Sequence, residues 1–67
     1  MSVKRGTVIS IVPDSDFALI VVELHGEAEP FSISHHLEEV RMLGLRRGDH
    51  VSVAFDDFGK PVGLVFN

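Results

Sequence analysis

No cysteine, tryptophan or tyrosine occurs in this chain of 67 residues, and it has only three prolines and five phenylalanines. Each shortage closes a class of explanation. Without cysteine there is no disulfide, no thiolate zinc site and no mark of an oxidising compartment. Basic residues are also few. Six Lys and Arg against ten Asp and Glu give a formal net charge of -4, so the chain as a whole repels a phosphate backbone, and strong non-specific nucleic-acid binding is not expected. The longest apolar cluster, Phe17 to Leu24, is interrupted by Glu23 and falls well short of the roughly 18 residues of a membrane span. Met1 leads into Ser2-Val3-Lys4-Arg5-Gly6 with no apolar targeting segment, which makes a soluble, cytoplasmic protein the expectation.

What remains is a hydrophobic fraction of 45% with no low-complexity tract. That supports one small core and not two, since a domain of this size buries only about 60% of the surface its unfolded chain exposes. A single domain over residues 1–67 is expected.

The elements follow from residue type and period. Val3, Thr7, Val8, Ile9, Ile11 and Val12 are rich in β-branched side chains and predict a first strand, ended by the turn chemistry of Pro13-Asp14-Ser15-Asp16. Both alternating sets in this strand contain apolar residues, so inward and outward positions stay undetermined. Phe17 to Leu24 predicts a second strand, closed by the polar loop from His25 to Pro30. Phe31 and Ile33 alternate with Ser32 and Ser34, the period of two that marks a short third strand. A helix comes next, with Ser34 as its cap, Leu37, Val40 and Leu43 at helical spacing, Glu38 and Glu39 at its positive end, and Gly44 to end it. Val51, Val53 and Phe55 alternate in a fourth strand over His50 to Phe55; Asp56 to Pro61 forms a hairpin turn and Val62 to Phe66 a fifth strand. Five antiparallel strands with one short helix between strands 3 and 4 is the order of an all-β OB-fold barrel, which closes its sheet and avoids exposed edges. An SH3-like barrel fits less well, because of where the helix falls.

With that layout, the chain resembles the cold-shock domain family. Arg5-Gly6-Thr7-Val8 is similar to the family's Lys-Gly-x-Val opening, and Asp16-Phe17-Ala18-Leu19-Ile20 stands where it has Gly-Phe-Gly-Phe-Ile. Phe31-Ser32-Ile33-Ser34-His35 lies at its Val-Phe-Val-His-Phe motif, with a register open to one residue. Leu45 to Ser52 resembles its Leu-x-x-Gly-x-x-Val-x-Phe segment, and Gly59 to Val65 the approach to its last strand. The resemblance implies a cold-shock-like OB barrel that binds single-stranded RNA or DNA. It also implies a surface made of Lys4, Arg5, Ser10, Phe17, Leu19, Phe31, His35 and Lys60. The departures fall on the functional positions. Ser10 stands at the family's tryptophan, Leu19 at its second strand-two aromatic, and Phe31 is retained as a strand-three aromatic in one register only. Each base–aromatic stack contributes about 1–3 kcal/mol, so an intact platform is not expected and binding should be weak or selective.

Other features have plain readings. Phe31, Phe55 and Phe66 suit the barrel interior. Lys4, Arg5, Arg46, Arg47 and Lys60 are spread through the chain and read as solvated charge, not as one patch. His35 and His36 with Glu39 have spacing compatible with ligation, but metal binding is not expected. Asp56 and Asp57 belong to a turn. No nucleophile, base and orienting group stand at a spacing that argues for catalysis, so neither enzymatic activity nor a cofactor is expected. Three functions compete: a weak or selective single-stranded nucleic-acid binder, a protein-interaction or regulatory barrel that has lost the stacking platform, and an oxyanion-binding barrel. The third arises because Leu43-Gly44-Leu45-Arg46-Arg47-Gly48-Asp49-His50-Val51 resembles a stretch of molybdate-binding domains. Asp56-Asp57 stands where those domains carry a lysine. A homodimer is left open.

Overall fold

The computed structural model describes residues 2–65. Five strands and one helix follow in the order β1 (Ser2–Asp14), β2 (Phe17–Leu24), β3 (Phe31–His36), α1 (Leu37–Leu43), β4 (His50–Phe55) and β5 (Pro61–Val65). All neighbouring strands are antiparallel. The sheet order is β3-β2-β1-β4-β5, and its outer strands β3 and β5 approach each other, giving a nearly closed OB-like barrel. Phe66 lies outside the described residues. No helix among those described is long and apolar enough to cross a membrane.

β1 is shared by two half-sheets. Ser2 to Thr7 pair with β4, and Gly6 to Asp14 pair with β2. Only Gly6 and Thr7 are paired on both sides, Gly6 to Leu24 and Val51, Thr7 to Glu23 and His50. The chain bends just beyond. A β-bulge between Val8 and Ser10 leaves Ile9 without a partner on β2, and such a bulge raises local twist and bends the strand. Before it the inward residues are Gly6 and Val8; after it Ile11, opposite the fully buried Ile20, takes the inward phase. The bulge is the reason both alternating sets of β1 contain apolar residues.

The core is mostly branched aliphatic. Val8, Ile20, Val22, Val51 and Val53 are at most 2% exposed, with Ala18, Leu24, Val40 and Phe55 around them. Phe31 packs edge-on against Phe55 with ring centroids 5.6 Å apart. Val40 is the one buried residue of α1 and brings that helix onto the core cluster.

The helix differs from its expectation at one end. Ser34 does not cap it, because β3 continues to His36; that residue takes the N-cap position without a side-chain cap bond. The first helical amide is satisfied from elsewhere: Leu37 N–H donates to the Asp16 carbonyl in the β1–β2 turn at 2.9 Å. The other end agrees. Gly44 adopts φ 65°, its N–H donates to Arg41, and Leu45 N–H donates to the Val40 carbonyl, the paired bonds of a Schellman motif.

The turn after α1 docks onto β1, with Gly48 N–H on the Val8 carbonyl and Val8 N–H on the Asp49 carbonyl. In the β4–β5 turn, Asp56 Oδ1 accepts from the amides of Phe58 and Lys60, both at 2.9 Å. β1 starts at Ser2 and carries Pro13 inside it, opposite Ala18. Pro13 lies beyond the stretch paired with β4, where its missing N–H breaks no ladder between two partners.

Gly6 is the tightest point. A Cβ there would lie 2.6 Å from both the Glu23 carbonyl oxygen and Val22 Cγ1, and backbone cannot yield as a flexible side chain does. Gly6→Ala should lower unfolding free energy by about 1–3 kcal/mol or more, measured by urea denaturation. Wild-type stability in that variant would mean the two half-sheets are not this close.

Candidate binding face

Because β2 alternates strictly, its exposed residues Phe17, Leu19 and Glu23, with half-buried Val21 between them, share the outer face of the barrel, while Ala18, Ile20, Val22 and Leu24 point in. Register then sets the rows of this face. Asp14, Phe17 and His36 stand side by side, followed by Val12, Leu19 and Ser34, then Ser10, Val21 and Ser32. Of the residues the resemblance implied, Ser10, Phe17 and Leu19 are thus brought together. Phe17 is 48% exposed, Leu19 40% and Val12 47%.

The third strand settles differently for the other two. Phe31 pairs with Val22 and His35 with Ala18, both buried positions, so these side chains turn inward. Phe31 packs against the core, and His35 Nε2 lies 2.7 Å from Glu39 Oε2, one helical turn along. His36 takes the outer place instead. Its ring stacks on Phe17 with centroids 5.0 Å apart and planes at 29°. The histidine on the aromatic face is therefore one residue later than the motif alignment placed it. His35 and His36 lie on opposite sides of the strand and do not form a common ligand set.

Lys4, Arg5 and Lys60 stay apart from this corner. Lys4 is opposite the buried Val53, at the other end of β1 from Phe17; its Nζ pairs with Glu27 Oε1 at 2.7 Å and lies 5.5 Å from the centre of the Phe55 ring. A pair this exposed contributes about 0–1 kcal/mol. Arg5 is on the outer face, opposite Ser52. Lys60 is in the β4–β5 turn beside Asp56, at the Ser2 end of β1. Arg41 does approach the aromatic corner, where it lines a cavity of about 400 Å³ with Ser15, Asp16, His36, Leu37 and Glu38.

The corner has a rigid base. The β1–β2 turn holds Ser15 at φ 55°, an uncommon left-handed conformation for a residue with a Cβ, and the Asp16 carbonyl receives the first amide of α1. Phe17 and His36 are consequently fixed by a strand pair, a tight turn and a helix start. Sequence reading missed His36 because motif alignment favoured its neighbour; the signal available was parity, since His36 shares the phase of Ser32 and Ser34.

The two histidines should respond differently to truncation. His35→Ala should cost about 1–2 kcal/mol, through lost packing over Ala18 and the lost contact with Glu39, whereas His36→Ala should stay within about 0.5 kcal/mol of wild type. Equal losses in urea denaturation would contradict the β3 register.

No known family model matches the chain, and neither a curated protein nor a solved structure does.

Proposed function

We propose that the chain is a non-enzymatic binding module that takes single-stranded nucleic acid on the outer face of β1, β2 and β3. The observation that carries this reading is the exposed Phe17–His36 stack, flanked by the hydroxyl-bearing rows of Ser10, Ser32 and Ser34. A planar base added to Phe17 or His36 extends an existing stack, and base stacking tolerates any sequence because every base has a π-face. The serines supply donors and acceptors for base edges, and Leu19, Val12 and Val21 supply apolar contact. Few phosphates are neutralised on this face. Among the described residues, Arg41 lines the cavity beside the stack and Arg5 lies farther along the same face, which makes binding dependent on stacking and selective instead of electrostatic and general. The nearly closed OB-like barrel is consistent with the cold-shock resemblance, but the platform is reduced to one corner.

A protein ligand is the second reading, favoured by the apolar Val12–Leu19 row and the net charge of -4. The oxyanion reading has less support. In the Arg46–Asp49 turn, the Arg46 amide already donates to Asp49 Oδ2 at 2.8 Å.

Fluorescence anisotropy with a short pyrimidine-rich single strand, across a salt series, tests the first reading. Its log–log salt slope should be no steeper than about -1.4, the value for two neutralised phosphates. Phe17→Ala should weaken binding by about 1–3 kcal/mol, or roughly 5- to 150-fold, and Leu19→Phe should strengthen it. Binding that Phe17→Ala leaves unchanged would overturn the aromatic corner as the site. No binding even at low salt would favour the protein ligand.

A further inference from the structure

Two histidines that are remote in sequence meet on the opposite end of the outer face. His50 begins β4 and pairs with Thr7; His25 follows the last residue of β2, and its N–H donates to the Arg5 carbonyl at 2.9 Å. Both therefore flank Thr7, on either side of β1, where that strand is paired to both neighbours. Their ring centroids are 6.3 Å apart, nearly perpendicular at 77°. His25 Nε2 and His50 Nδ1 each lie 3.4 Å from the same atom, Thr7 Oγ1.

This convergence leaves coordinating capacity unused. A hydrogen bond between nitrogen and oxygen is usually about 2.7–3.2 Å long, so at 3.4 Å the Thr7 hydroxyl holds neither ring tightly. Two imidazoles on one ion, with metal–nitrogen bonds of about 2.1 Å, have centroids roughly 5–6.5 Å apart as the bond angle opens from tetrahedral to linear. The observed 6.3 Å lies at the open end of that span, so a tetrahedral ion requires the two side chains to close by about 1 Å. Glu23 pairs with Thr7 from the other side and, like Thr7, lies on the outer face; its charge favours a cation nearby. Arg5, two residues back on the same face, opposes one.

We infer that His25 and His50 form a two-imidazole surface chelate for a divalent, imidazole-preferring transition metal of the Zn²⁺, Ni²⁺ or Cu²⁺ class, with the Thr7 hydroxyl and water completing the coordination. No group of three or more His, Cys, Asp or Glu side chains suited to a metal occurs among the described residues. The site is thus a two-ligand chelate, and its affinity rests on the imidazole bonds. Hard ions such as Mg²⁺ and Ca²⁺, which take oxygen ligands, are excluded by the same chemistry. The site lies at the Gly6–Leu24 end of the β1–β2 ladder, whereas Phe17 and His36 occupy the Asp14 end, so the inference does not depend on nucleic-acid binding.

The test is calorimetric and NMR titration of the full chain with Zn²⁺. One equivalent should bind, with imidazole signals of His25 and His50 moving together, and Mg²⁺ should move neither. His25→Asn and His50→Asn should each weaken Zn²⁺ binding at least tenfold, and His36→Asn should leave it unchanged. Folding brings the two rings together, so Zn²⁺ should also raise Tm in wild type and in His36→Asn but not in the other two variants. A response centred on His35 or His36, or undiminished binding in both His25→Asn and His50→Asn, would overturn the proposal. Dispersed spectra of the unliganded variants separate loss of the site from loss of the fold.

Discussion

The close approach of two strands at Gly6 is the constraint on which the rest depends. β1 serves β4 with one end and β2 with the other, and at Gly6 it is paired to both at once. A strand in that position must bend sharply while keeping ladders on both edges. Bending draws the Glu23 carbonyl and the Val22 side chain to where a Cβ would otherwise stand. The missing side chain at residue 6 and the unpaired Ile9 three residues later work as one device: the first allows the approach, and the second adds the twist that carries β1 over the core. Without that bend the outer strands β3 and β5 could not approach, and a flat sheet of so few residues would have little apolar interior to bury.

Much of this architecture is legible in the residue order. The short β-branched run of β2 closed by a polar loop, the alternation of Val51, Val53 and Phe55, and Gly44 at the helix end identify their elements through local rules, and those rules hold. What the sequence hides is phase. In β1 apolar residues occupy both parities because Ile9 is an insertion in the ladder, and no residue type announces an inserted isoleucine. In β3 the alternation Phe31, Ile33 and His35 against Ser32, Ser34 and His36 has a clear period, but the alignment to a family motif drew attention to His35. The register with Ala18 decides which histidine meets solvent. The helix cap fails for a similar reason: Ser34 has the right chemistry, yet its side is taken by the strand, and a backbone carbonyl from Asp16 supplies the bond that a side chain would have given.

The convergence of His25 and His50 belongs to the same class. The two lie 25 positions apart in the chain, and only the double pairing of Thr7 makes them neighbours. Local pattern reading cannot find such a pair, since it depends on which strands flank β1 and not on anything near either residue. Residues that converge through topology therefore escape a sequence reading even when every element has been recognised.

Bulge and bend also divide the outer face chemically. Before Ile9, the outward residues of β1 are Arg5 and Thr7; after it they are Ser10 and Val12, because the insertion exchanges the parity that faces solvent. Arg5 and Thr7, with the imidazoles that flank Thr7, are thereby separated along a single strand from Ser10 and Val12, which lead to the Phe17–His36 stack. For a chain with six basic residues this separation matters energetically. Scattered cations screened by water contribute little to a phosphate ligand, while one fixed stack contributes about 1–3 kcal/mol per base. On the proposed reading, an acidic barrel with Arg41 beside its aromatic corner and Lys4, Arg5 and Lys60 elsewhere gives up affinity for nucleic acid in general and gains dependence on the bases themselves. Under that proposal, selectivity comes from what the corner lacks as much as from Phe17 and His36.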